Sequence, residues 1–218
     1  MAKICAYCGE PADTDDHVVP KQLYPESVRK AGVQLLTVPA CKRCNGSFSD
    51  DEEHFRNVLT TGGKITSLVG ELFYRRIHRS FAKGKSLRHL RQLVSTMQEC
   101  QTPEGQRHII YPIRDKGFVR ILHKILRGLA FHHFGCPVPE ENVSANVLIH
   151  KIPPDLREGM VWYKHCADVF QYWYGIYEEE EAAYISFWVL RFFDTRDFIG
   201  KIDMTDDMYF DKANAIRL

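Results

Sequence analysis

Four of the seven cysteines fall into two C-x-x-C pairs, Cys5/Cys8 and Cys41/Cys44, with 32 residues between Cys8 and Cys41. A C-x-x-C turn presents two thiolates to one ion, and Zn2+ takes four such ligands in a tetrahedron. Two turns bracketing so short a segment predict a structural zinc bound by Cys5, Cys8, Cys41 and Cys44. A four-thiolate site is closed and offers no position to a substrate. Its metal therefore staples a module too small to bury much core. Cys100, Cys136 and Cys166 are scattered and read as small, buried apolar residues. The odd cysteine count argues against a disulfide framework. The opening MAKICAYCGE lacks the apolar core of a signal peptide, so a cytoplasmic location is expected.

With 218 residues, 44% hydrophobic and 26% charged, the chain has the composition of an ordinary soluble globular protein. It is long enough for a small module followed by a larger domain. The longest apolar runs, such as Tyr184–Leu190, fall far short of the roughly 20 residues of a membrane-spanning helix, so no membrane partner is expected. The net charge of +1 hides an asymmetry: residues 1–60 carry −2, residues 61–134 carry +10 and residues 135–218 carry −7. So basic a middle segment is expected to present a positive surface, and nucleic acid is the partner that suits it.

Ser49-Asp50-Asp51-Glu52 has the spacing of a capping box, and Phe55, Val58 and Leu59 follow at helical intervals. These predict a helix over 49–60, ended by Thr61-Gly62-Gly63, which marks a module boundary. Residues 66–82 and 85–99 read as basic helices. Residues 117–134 give the clearest helix: Phe118, Ile121, Leu122, Ile125, Leu129 and Ala130 form one stripe. Arg120, His123, Lys124 and Arg127 lie largely off it, and Gly135 and Pro137 end it. His132 and His133, at its C-terminus, read as structural or solvated. Beyond Pro139 the segments 147–150, 161–164, 170–177, 184–193 and 198–202 are rich in β-branched and aromatic residues and read as antiparallel strands. Glu178–Glu181 is expected at a hairpin tip, and the aromatics in the sheet core rather than on a base-stacking platform.

Between the cysteine pairs lies Asp16-His17-Val18-Val19-Pro20-Lys21, and Asn45 directly follows Cys44. Read singly, Asp16-His17 suits a surface hairpin and Asn45 a turn. Taken together around one zinc, they resemble the HNH, or ββα-metal, nucleases. The similarity is to the four-cysteine variant seen in phage Holliday-junction resolvases, in which Asn replaces the last His of the motif. The resemblance covers residues 4–60. More loosely, Leu126-Arg127-Gly128-Leu129 and the aromatic strands resemble uncharacterised bacterial proteins headed by such a module.

The resemblance implies that Asp16 and Asn45 supply oxygen ligands to a catalytic Mg2+ or Mn2+, with Glu52 a further candidate. It implies that His17 is the general base toward the attacking water. Lys21, Arg75, Arg76 and Arg79 are the candidate nucleic-acid contacts. One departure stands out: the middle Asn of the motif, five residues before the third cysteine, is Leu36, and its role is missing or falls to backbone, Thr37 or Gln34. The expected architecture is α+β: an N-terminal ββα-metal module over residues 1–60, then residues 61–218 with basic helices (61–134) and antiparallel strands (140–203). The expected activity is metal-dependent endonuclease cleavage of nucleic acid, DNA over RNA. The rival reading is a zinc-containing nucleic-acid-binding module whose catalytic core has decayed, which Leu36 favours. A third is an interaction protein that uses the aromatic sheet as its surface.

Overall fold

The computed structural model of the chain describes residues 3–61, 65–77, 91, 94–95, 97–101, 105, 107–110, 115–147, 157–165, 168–179, 183–210 and 215–217. Strands β1 (Thr14–His17) and β2 (Thr37–Ala40) pair antiparallel, with Asp16 opposite Val38 and His17 opposite Thr37. A 3-10 turn (Lys21–Leu23) and a short helix α1 (Glu26–Lys30) connect them. Helices α2 (Lys42–Ser47) and α3 (Ser49–Thr61) follow, separated only by Phe48, whose backbone is itself helical.

That near-continuity corrects the capping-box expectation. The Ser49 hydroxyl donates to the Gly46 carbonyl, and the Glu52 N–H already has the Phe48 carbonyl as acceptor. Ser49 is not at a free helix start, so Glu52 is released for a tertiary partner. The helix itself lies where its periodicity placed it.

Helix α4 (Ser67–Leu72) is capped by the Thr66 hydroxyl, which accepts from the Val69 N–H, and runs on as a π-helical turn (Phe73–Ile77). The rest of the helix expected over 66–82 lies outside the described residues. The helix expected over 85–99 is overtaken at its end by a strand. There β3 (Gln98–Gln101) pairs antiparallel with β4 (Arg107–Ile110), from Gln98 opposite Ile110 to Gln101 opposite Arg107. The inter-strand ladder satisfies backbone groups that a helix end would leave open. Most of residues 85–96 lie outside the described residues.

Helix α5 (Lys116–Phe134) is the hub. Its start is capped by Asp115, whose Oδ1 accepts from the Phe118 N–H, and its end by Gly135 at φ +74°, the left-handed conformation that glycine adopts without strain. The Asp115 carboxylate also holds the buried His54 of α3, Nε2 to Oδ2, at 2.6 Å. α5 was expected to bury one stripe and leave its basic residues off it. Instead Lys124 and Arg127 are buried with that stripe. Buried charges need partners, and both have them, as described below.

The C-terminal sheet runs in the order β10-β7-β8-β9-β5, with β6 also paired to β7. Its strands are β5 (Val143–Val147), β6 (Val161–His165), β7 (Phe170–Glu178), β8 (Tyr184–Phe192), β9 (Arg196–Asp203) and β10 (Ile216–Arg217). All pairings are antiparallel except β10 with β7. The strand expected at 147–150 is shifted: β5 begins at Val143, in register with Ile202, and residues 148–150 lie outside the described residues. The β7–β8 hairpin ends in the acidic run, closed by the Glu179 N–H donating to the Ala183 carbonyl. Tyr172, Trp188 and Phe192 are fully buried, whereas Trp162 on β6 is half exposed. His133 meets the Tyr172 hydroxyl at 2.9 Å and packs against Tyr174, so it belongs to the core. Among the described residues no helix is long and apolar enough to cross a membrane.

One apolar core runs from the cysteine knuckles through α3 and α5 to the sheet. The Phe55 ring of α3 meets Phe118 of α5 at 4.5 Å and Phe192 of β8 at 5.6 Å. α5 approaches the segment after β1 so closely that a Cβ on Gly128 would lie 3.0 Å from a Val18 methyl. Gly128→Val is therefore expected to lower stability by about 1–3 kcal/mol through overpacking. It should read as a lower urea midpoint with unchanged slope. An unchanged midpoint would mean that α5 does not press on Val18.

Candidate functional site

The first knuckle is a tight loop. The Cys5 N–H donates to the Glu10 carbonyl and the Gly9 N–H to the Cys5 carbonyl, with Gly9 at φ +75°. The Ala6 N–H donates to the Pro39 carbonyl of β2, which fastens the loop to the ribbon. The second knuckle is the start of α2. Cys41 is its N-cap, and Cys41 Sγ accepts from the Cys44 N–H at 3.5 Å. The four sulfurs lie within 4.8 Å of one another, with Cys8 and Cys41 Sγ 3.8 Å apart. A disulfide needs about 2.05 Å. Tetrahedral zinc with Zn–S of about 2.3 Å places its sulfurs about 3.8 Å apart. The group has the shape to hold a structural metal such as zinc. The Cys44 N–H draws the Cys41 thiol down to about 7, while burial pushes the Cys44 thiol up.

The ribbon carries Asp16 and His17 between the knuckles. Asp16 faces inward and is 6% exposed. Its Oδ2 accepts from the Tyr7 hydroxyl at 2.7 Å and meets the Lys124 ammonium at 2.9 Å. Lys124, in the middle of α5, is buried and also donates to the His17 carbonyl at 2.9 Å and to Glu52 Oε1 at 2.5 Å. Three acceptors match the three protons of an ammonium. Asp16 and Glu52 thus converge on one cation. Burial raises the Glu52 carboxyl despite that ion pair, and burial with Asp16 raises the Tyr7 phenol well above its usual range.

Asn45, one turn into α2, is oriented by β1. Its Nδ2 donates to Thr14 Oγ1 at 3.2 Å and to the Asp15 carbonyl at 3.4 Å. Thr14 Oγ1 itself donates to the Ala40 carbonyl, so it can only accept from Asn45. Both neighbours being acceptors, the amide nitrogen must face them, and among the described residues the amide oxygen has no donor. On Asp16, both partners fall on Oδ2. Asp16 Oδ1 and Asn45 Oδ1 have no hydrogen-bond partner among the described residues, and each is an oxygen of the type that hard divalent cations take. The Asp16–Glu52–Lys124 cluster thus holds two carboxyl groups and one ammonium.

His17 alternates with Asp16 along β1 and is partly buried, and its buried Nδ1 has no hydrogen-bond partner among the described residues. Burial, then Lys21, holds its imidazole below the usual histidine range, against the pull of Asp16. At Leu36 the carbonyl accepts from the Val18 N–H at 3.0 Å and closes the ribbon. Lys21 is exposed, at the start of the 3-10 turn. Arg75, 60% exposed, pairs with Glu26 at 3.3 Å. The Arg76 side chain and Arg79 lie outside the described residues, as do the Cys100 side chain and Cys166. Cys136 is partly buried.

Two site residues escaped the sequence reading, Tyr7 and Lys124. Tyr7 sits inside the first C-x-x-C, and Lys124 is one turn from Ile121 on the flank of the apolar stripe. A lysine so placed was the available signal. α5 reaches the N-terminal region through two further cations. Arg120 donates to the Ser47 carbonyl and to Asp51 Oδ2 at 2.6 Å, and Arg127 to the Val138 and Tyr7 carbonyls. Part of the basic middle is thus held internally. α5 also lines a cleft of about 740 Å³ through Lys116, Arg120 and His123, together with Glu140 and Asn146.

No family model, curated protein or solved structure matches this chain.

Proposed function

We propose that the chain is a metal-dependent endonuclease of HNH type that hydrolyses phosphodiester bonds of nucleic acid, DNA in preference to RNA. The observation that carries the reading is the placement of Asp16 and His17 on a ribbon whose ends enter the two cysteine knuckles, beside an Asn45 amide whose oxygen is turned free. Zinc at Cys5, Cys8, Cys41 and Cys44 holds that geometry and takes no part in the reaction. Asp16 and Asn45 would hold the catalytic Mg2+ or Mn2+, which supplies charge neutralisation at the scissile phosphate when bound. His17 accepts the proton of the attacking water as the new P–O bond forms and the P–O bond to the leaving oxygen breaks. Lys21, close enough to influence His17 electrostatically, offers a cation to the phosphate backbone.

A specific observation favours the second reading, a nucleic-acid-binding module with a decayed core: the Lys124 ammonium already neutralises part of the Asp16 and Glu52 charge. Incubation with a panel of duplex, branched and single-stranded DNA and with RNA, in Mg2+, Mn2+ or chelator, separates the two. Cleavage lost in chelator supports the endonuclease; salt-sensitive binding without cleavage in any metal supports the second reading.

The basic segment after the first sixty residues gives an independent check on the partner. Charge reversal at Arg75, Arg76 and Arg79 is expected to weaken nucleic-acid binding. It should also flatten the plot of log affinity against log salt by about 0.9 for each phosphate that the protein no longer neutralises. An unchanged slope would mean that these arginines are solvated surface.

A further inference from the structure

We propose that Lys124, supplied by α5 from far along the chain, is a positioning residue of the candidate site and its built-in counter-cation, holding Asp16 in place and keeping divalent-ion binding there weak. The inference rests on the hydrolase reading for the identity of the ion, but not on cleavage being observed.

The geometry is specific. The Lys124 side chain is fully buried, and its ammonium has three acceptors, each from a different part of the site: Asp16 Oδ2, Glu52 Oε1 and the His17 carbonyl. It therefore fixes at once the proposed metal ligand, the backbone of the proposed base and the nearest second carboxylate. Phe48 lies under it, with the ammonium 5.3 Å from the ring centroid. The helix cannot slide to withdraw the lysine without breaking the flanking Arg120 and Arg127 contacts.

A fixed positive charge on one oxygen of Asp16 opposes a divalent ion on the other. It also holds Glu52 as its own partner rather than leaving that carboxylate to the ion. Removing the charge while keeping the shape would leave the buried Asp16 and the partly buried Glu52 carboxylates facing one another with no counter-ion, an arrangement that draws in a hard cation. A merely structural lysine would change stability and leave ion affinity alone.

The test is Mn2+ binding by the zinc-loaded full-length protein, read by calorimetry or by the spin-resonance signal of free Mn2+. Lys124→Met is expected to bind Mn2+ at least tenfold more tightly than wild type. Adding Glu52→Gln to that variant should return the affinity towards the wild-type value. Equal or weaker binding by folded Lys124→Met overturns the proposal. Should Lys124→Met fail to fold, Glu52→Gln alone decides: removing one negative charge is expected to weaken Mn2+ binding several-fold, and an unchanged affinity overturns the proposal. Wild-type protein that binds Mn2+ but cuts nothing, with the Lys124→Met gain intact, sinks the hydrolase reading and leaves this inference standing. Cleavage by wild type with no gain in Lys124→Met does the reverse.

Discussion

His17→Ala is expected to abolish cleavage, by about 100- to 10,000-fold in rate, while zinc content, folding and substrate binding stay near wild type. The separation follows from what His17 touches. Its side chain is no part of the cysteine group, and its buried Nδ1 makes no hydrogen bond among the described residues. The contact that anchors this residue to α5 is its backbone carbonyl, which accepts from Lys124 and survives the substitution. Truncation therefore removes a ring and leaves the ribbon tied. Asp16→Ala should behave differently. It strips Lys124 and Tyr7 of a shared acceptor as well as removing a proposed ion ligand, so it should cost stability too. If His17→Ala cuts at the wild-type rate at neutral pH, the general-base mechanism is wrong. If it unfolds or loses zinc, His17 is a structural residue and the binding-module reading gains.

Cys44→Ser should have the largest effect on the folded state. One lost thiolate opens the tetrahedron, and structural zinc sites in small modules carry on the order of 10 kcal/mol of apparent binding free energy that doubles as folding free energy. The segment that would loosen contains Cys5, Ala6 and Tyr7, all buried, and Tyr7 positions Asp16. Loss of metal should therefore disorder the candidate site as well as the knuckles. Because the core is continuous into α5 and the sheet, the thermal transition of the whole chain should fall or broaden. Elemental analysis beside thermal unfolding, with and without chelator, reads the result. A folded, active protein that holds no zinc would contradict this role for the cysteines.

Local pattern made much of the architecture legible. The two C-x-x-C turns bring their sulfurs together, the helical periodicities of 49–60 and 117–134 yield α3 and α5, and the aromatic runs after Pro139 yield the sheet. What escaped depends on partners distant in the chain. Glu52 reads as half of a capping box because Ser49 stands three residues before it. In the fold α2 runs almost into α3, and Glu52 turns to Lys124, 72 residues away. Lys124 and Arg127 read as lying largely off the apolar stripe, because periodicity reports one stripe and cannot report that the other flanks are covered. The β3–β4 ribbon went unread because Gln98–Gln101 has little apolar content and takes its conformation from pairing. Of the candidate site, the sequence singles out Asp16, His17 and Asn45, and the structure places the first two on β1 and Asn45 against Thr14 and the Asp15 carbonyl; the Tyr7–Asp16–Lys124–Glu52 cluster was not legible, since three of its links are tertiary.

The most direct measurement is nicking of supercoiled plasmid by purified, zinc-loaded protein in Mg2+ or Mn2+, with His17→Ala and a chelator run alongside. Relaxed and linear products are expected from wild type, and none from His17→Ala or in chelator. Intact plasmid in every lane, with the same protein retarding DNA in a salt-sensitive manner, would contradict the endonuclease and leave a module that binds nucleic acid without cutting it.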